Sequence, residues 1–166
     1  RIADAFIALP ALILALAIIA IFGPGLVNAM LAVGIAMAPA LFRVVRGATL
    51  AVREETYIDA SKIVGGSTAR ILFAHVLPNV RSPLLVMLSI MLSLCLLAEA
   101  GLSFLGLGVQ PPTASWGSML RSAFDNRFLG PWMIVAPGVA ITLTILSLNM
   151  LGDGIRDAVG ADRSRS

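Results

Sequence analysis

Four long apolar blocks, more than the total of apolar residues, limit what this chain can fold into. They span residues 5–22, 26–44, 84–108 and 131–151. A helix rises 1.5 Å per residue, so about 20 residues cross the roughly 30 Å hydrocarbon layer of a bilayer. The first two blocks are slightly short for that and the third is long enough to tilt. Hydrophobic residues make up 58% of the 166 residues and charged ones only 13%. A soluble domain carries roughly 25% charged residues, so lipid is the solvent these blocks suit. Pro10, Pro39 and Pro137 fall inside them. Membrane helices tolerate proline because neighbouring helices and hydroxyls satisfy the freed carbonyls. The reading is an all-α polytopic bundle of about four transmembrane helices. Gly34 and Ala38 form a small-xxx-small pair suited to close helix contact, although chance also supplies such pairs in a Gly- and Ala-rich chain.

Charge orients the bundle. Four crossings put Arg1, the loop at 43–81 and the C-terminal tail on one side. That side holds Arg43, Arg46, Arg53, Lys62, Arg70 and Arg81, with Arg156, Arg163 and Arg165 in the tail. The other side holds only Arg121 and Arg127. Lys and Arg accumulate in cytoplasmic loops, so residues 43–81 and the C-terminus are expected in the cytoplasm. The start at Arg1, without the features of a signal peptide, suggests a piece of a longer chain. Cys95 is the single cysteine and His75 the single histidine, so neither an internal disulfide nor a metal site is expected.

The loop is too apolar to be merely solvated. Tyr57, Ile58, Val64, Ile71, Leu72, Phe73, Val76 and Leu77 recur at near-helical spacing. Thr56 followed by Asp59 resembles a capping box that starts a helix. Gly65-Gly66-Ser67 interrupts the pattern, which predicts two short helices meeting at a turn, the second ended by Pro78. Exposed apolar residues on such a pair call for a protein partner.

Within this loop, Asp59-Ala60-Ser61, Gly65 and Leu77-Pro78 resemble the EAA loop of ABC importer permeases. That loop reads Glu-Ala-Ala, three residues, Gly, nine residues, Ile, one residue, Leu-Pro. Every spacing matches; Asp59, Ser61 and His75 depart in residue type. The run from Ala98-Glu99-Ala100-Gly101 through Gly108 to Ser115-Trp116-Gly117, and the run Leu148-Asn149 to Arg156-Asp157, are similar to the second permease subunit of dipeptide, oligopeptide and nickel importers. The resemblance spans nearly the whole chain. It implies a single permease domain over 1–166, of the type I, MetI-like kind, matching the last four of the family's six helices.

The resemblance further implies a multi-pass subunit of the bacterial inner membrane. Its expected partners are a second permease subunit, two ATPase subunits and an extracytoplasmic binding protein; no nucleic acid or cofactor is expected. The loop at 54–80 would be the coupling element seated on the ATPase, through Asp59, Ala60, Ser61, Gly65, Gly66, His75, Leu77 and Pro78. In that reading Asp59 caps its helix or pairs with the ATPase, Gly65 turns the chain, and Leu77 and Pro78 anchor the second helix. Glu99 and Asn149 are intramembrane polar residues, lining the path or bonded to a neighbouring helix. In the outer loop at 110–130, Trp116, Met119 and Leu120 suggest an amphipathic helix at the membrane surface, anchoring it or docking the binding protein.

Other classes fit less well. Asp59, Ser61 and His75 do not form a hydrolytic set, because no G-x-S-x-G surrounds Ser61. No P-loop is present, so ATP hydrolysis belongs to a partner and the chain is not read as an enzyme. A secondary transporter would not carry an EAA-like loop. Within the family, nickel or another small solute is the alternative cargo to peptides.

Overall fold

The computed structural model describes residues 10–163. Arg1, Arg165 and residues 5–9 of the first apolar block lie outside the described residues. The described residues form helices and turns, with no strand among them. In chain order these are α1 (Ala11–Phe22), α2 (Leu26–Arg53), α3 (Thr56–Ile63), α4 (Thr68–Phe104), α5 (Trp116–Asp125) and α6 (Trp132–Arg163), with a 3-10 turn at Arg127–Leu129 before α6. Three helices, α2, α4 and α6, are long and apolar enough to cross a membrane. The described part of the first block, α1, has 12 residues, short of a crossing by itself.

The rods outrun their apolar blocks. With 28, 37 and 32 residues, α2, α4 and α6 span about 42, 55 and 48 Å, against a hydrocarbon layer of roughly 30 Å. Apolarity marks where lipid fits, while helix continues into the polar flanks. Pro78 does not end the second helix, contrary to the expectation from sequence. The helix runs from Thr68 through Pro78 and Pro83 to Phe104. A π-helical stretch at Ile71–Val76 comes directly before Pro78, and the Leu77 N–H donates to the Leu72 carbonyl, five residues back. A proline ring clashes with the carbonyl four residues earlier, and the wider π turn gives it room.

Packing is built on small residues. In lipid no hydrophobic force draws apolar helices together, so close backbone approach has to supply the attraction. Ala15 and Ile19 of α1, Ala29, Ala32 and Val33 of α2, and Ala98 and Leu102 of α4 form one buried cluster. Asn28 closes the α1–α2 turn, its amide donating to the Phe22 and Gly23 carbonyls at 2.9 and 3.1 Å. The Gly34–Ala38 pair makes no close helix contact among the described residues: both are exposed. The close approach falls instead between α4 and α6, where Gly152 sits against Ser89, and between α4 and α5, where Gly117 sits against Ala100.

Candidate functional site

The polar ends of α2 and α4 carry α3 between them. Ile58, 1% exposed, is its anchor, packed with Ile71, Val76 and Val80 of α4 and against Val45, Ala48 and Val52 of α2. Burying one such side chain stabilises the contact by roughly 1.5–3 kcal/mol. The N-terminus of α3 differs from the expectation. Thr56 is already inside the helix, Glu55 occupies the cap position, and no side chain caps it. Asp59 pairs with Lys62 at 2.8 Å on the exposed face. The Lys62 ammonium, by hydrogen bond and charge, holds the Asp59 carboxyl below its usual range. The Thr56–Asp59 capping box does not form, because the helix starts one residue earlier than that register requires.

The C-terminus of α3 is a Schellman turn. The Gly66 N–H donates to the Ser61 carbonyl at 2.9 Å, and the Gly65 N–H to the Lys62 carbonyl at 3.0 Å. Gly65 has φ +85°, in the left-handed region that favours glycine. Gly66 is required for another reason: a Cβ there would lie 2.7 Å from the Ser61 carbonyl oxygen. Ser67 then caps α4, its hydroxyl accepting from the Arg70 N–H at 3.3 Å. Stop, turn and start thus occupy three consecutive residues, as Gly65-Gly66-Ser67 foretells.

Five of the residues singled out in the sequence, Ala60, Ser61, Gly65, Gly66 and His75, line one cleft of 370 Å³ between α3 and the start of α4. Arg70 stands at the same cleft. Asp59, Leu77 and Pro78 do not line it. Leu77 is 47% exposed, and the buried contacts of this part of α4 are made by Ile71, Val76 and Val80. The sequence reading lacks one contact, between Asn79 and Tyr57. The Asn79 amide donates to the Tyr57 hydroxyl at 3.0 Å and to the His75 carbonyl at 2.7 Å, and the His75 ring meets the Tyr57 ring edge-on at 6.1 Å. This latch ties α3 to α4 across 22 residues. Its one sequence signal is an Asn following Leu77-Pro78, a place where a polar side chain meets a distorted helix. Ile63 and Val64, 86% and 88% exposed, stand where α3 turns, with Val64 at the lip of the cleft.

Glu99 and Asn149, the polar residues singled out in the apolar blocks, have partners. The Ser103 hydroxyl donates to the Glu99 carboxylate at 2.6 Å and accepts from the Val109 N–H at 3.0 Å. Glu99 thereby fastens the segment after α4, which also receives the Gly25 N–H at the Leu107 carbonyl, 3.2 Å away. Asn149 accepts from the Ser93 hydroxyl at 3.2 Å, joining α6 to α4. Both residues make structural bonds. Glu99→Gln, which still accepts from Ser103, is expected to hold thermal stability near wild type. Glu99→Leu leaves the buried Ser103 short of a partner and should lower stability by about 1–3 kcal/mol, read by thermal unfolding in detergent.

At the other end of the rods α5 packs on α4 and α6. Ser115 and Ser118 close its N-terminus as a reciprocal capping box. Gly117 and Ala123 are its buried face, and Phe124 meets Phe104 edge-on at 5.9 Å. Trp116 and Met119 stay exposed and Leu120 is half-buried, so the named trio splits between surface and contact.

The family described as "binding-protein-dependent transport system inner membrane component" matches residues 1–165. The di/tripeptide transport system permease protein DppC of Pseudomonas aeruginosa is 45% identical over 159 residues, covering 96% of this chain and 52% of that protein. The glutathione transport system permease protein GsiD of Salmonella typhi is 43% identical, and that of Escherichia coli O1:K1 is 42% identical, with the same coverage of both chains. The chain spans about half the length of the curated relatives it matches.

Proposed function

Because this chain belongs to the binding-protein-dependent transport system inner membrane component family, we propose that it forms part of the permease of an ATP-driven importer of peptides. It is an all-helical, multi-pass membrane protein. In this reading the long helices cross the bacterial inner membrane, and α3 with the start of α4 stands in the cytoplasm as the coupling element. The basic residues on that side support the orientation. An ATPase subunit grips the elbow, a second permease subunit completes the path, and a binding protein delivers cargo at the face bearing Trp116 and Met119. Peptidic cargo is favoured over nickel because the relatives named above carry di/tripeptides and glutathione.

One observation carries the coupling role. The elbow is stiffened by a buried Ile58, a Schellman turn and the Tyr57–Asn79 latch, yet it displays Ile63 and Val64 beyond the apolar rods. A rigid element with an apolar tip suits transmission of a partner's motion, because a lever must not bend. The test places photoreactive benzoylphenylalanine at Ile63 in the complete transporter. A crosslink to the P-loop subunit is expected. Crosslinks only to lipid, or to a protein outside the cell, would overturn the reading.

A further inference from the structure

The cleft beside the elbow has a chemistry of its own. Ser61 and Val64 line it beside the Gly65-Gly66 turn, together with Arg70 and His75 of α4. A Cβ at Gly66 would collide with the Ser61 carbonyl oxygen, whereas Gly65, at φ +85°, has open space beside it. Among the described residues no side chain pairs with the Arg70 guanidinium. The nearest acidic residue of α3, Asp59, is taken by Lys62 at 2.8 Å. Glu54 and Glu55 precede the first turn of α3 and do not line the cleft. Nor does the fold itself compensate Arg70. It sits in the first turn of α4, where the helix macrodipole opposes a cation.

We infer that this cleft receives an acidic side chain of the ATPase subunit, held by Arg70 while Ile63 and Val64 make the surrounding apolar contact. The inference rests on the coupling role proposed above and names the chemistry of the partner's contact. A guanidinium offers a planar fork of donors that a carboxylate matches in two parallel hydrogen bonds. The apolar rim excludes water from the pair once the partner is seated, which strengthens it. At this cleft the acidic charge therefore comes from the partner and the basic one from this chain.

The experiment uses the complete transporter with benzoylphenylalanine at Ile63 and, separately, Arg70→Lys, Arg70→Gln and Arg70→Glu. The Arg70 side chain is exposed and its N–H remains capped by Ser67, so thermal stability of the permease should not change. Binding of the purified ATPase subunit to the permease is measured across a salt series. Arg70→Glu is expected to weaken binding by roughly tenfold or more, Arg70→Gln by less, and Arg70→Lys least. Reversing the acidic residue that crosslink mapping places opposite Arg70 should restore binding to Arg70→Glu. If Ile63 crosslinks to the ATPase but Arg70→Glu binds it at wild-type strength, the acidic contact is wrong and the coupling role stands. If Ile63 yields no ATPase crosslink, the coupling role itself falls and this inference with it.

Discussion

A complete transporter carrying Gly65→Trp is expected to assemble in the membrane and yet lose transport together with transport-coupled ATPase activity. The two halves of that result have separate causes. A Cβ at Gly65 meets nothing within 4 Å, so the elbow has room for a side chain. The backbone there, at φ +85°, charges a non-glycine residue roughly 1–2 kcal/mol, which the packing of Ile58 and the Tyr57–Asn79 latch can absorb. The indole, however, projects from a residue that lines the cleft, where the ATPase is proposed to seat. Losing about 1.4 kcal/mol of subunit affinity already means tenfold weaker binding, and a bulky ring inside a contact removes more. Gly65→Ala is the graded control, with the same backbone strain and little bulk. It should retain most of the activity. Gly66→Ala should behave oppositely. Its Cβ collides with the Ser61 carbonyl oxygen at 2.7 Å and breaks the Schellman turn, so it damages the elbow without filling the cleft. ATP hydrolysis measured with and without cargo, beside uptake of a labelled dipeptide, separates these cases. Wild-type uptake by Gly65→Trp would remove the coupling assignment.

The second large effect belongs to the opposite end. Gly117→Val is expected to push α5 off α4 and lower stability by about 1–3 kcal/mol, the usual range for overpacking. A Cβ at Gly117 would lie 2.8 Å from the Ala100 Cα and 2.8 Å from the Ser103 Cβ. Neither atom can swing aside, because one is helix backbone and the other carries the hydroxyl that joins Glu99 to Val109. Displacing α5 therefore also loosens the segment that Glu99 fastens. Limited proteolysis of residues 105–130 in detergent should accelerate in Gly117→Val. Gly138→Ala is the matched control: it lies in α6 with open space around it and should stay within a few tenths of a kcal/mol of wild type. Equal protease resistance in wild type and Gly117→Val would show that α5 is not seated on Gly117.

The elbow was the most legible part of the molecule. Gly65-Gly66-Ser67 specifies it locally, because a left-handed residue, a close approach and a hydroxyl cap each demand a particular residue type, and no distant contact is needed to choose them. Tyr57–Asn79 was not legible, since the partners are 22 residues apart and each is ordinary where it stands. Pro78 misled for a related reason. A proline announces that a normal α turn is impossible, but α4 continues through the widened π turn, whose Ile71 and Val76 are buried with Ile58 of α3.

By itself the sequence determined that the chain is helical and lipid-facing, where apolar length would fit a bilayer, and where the chain must turn. It did so because helix hydrogen bonds close within a few residues and lipid accepts any apolar surface. Only the tertiary structure decided that Gly152 meets Ser89, that Gly117 meets Ala100, and that Gly34 and Ala38 face outward. Lipid and apolar side chains are nearly equivalent neighbours. Which face of a rod turns inward is therefore set by where two small residues come into register, a property of pairs of helices.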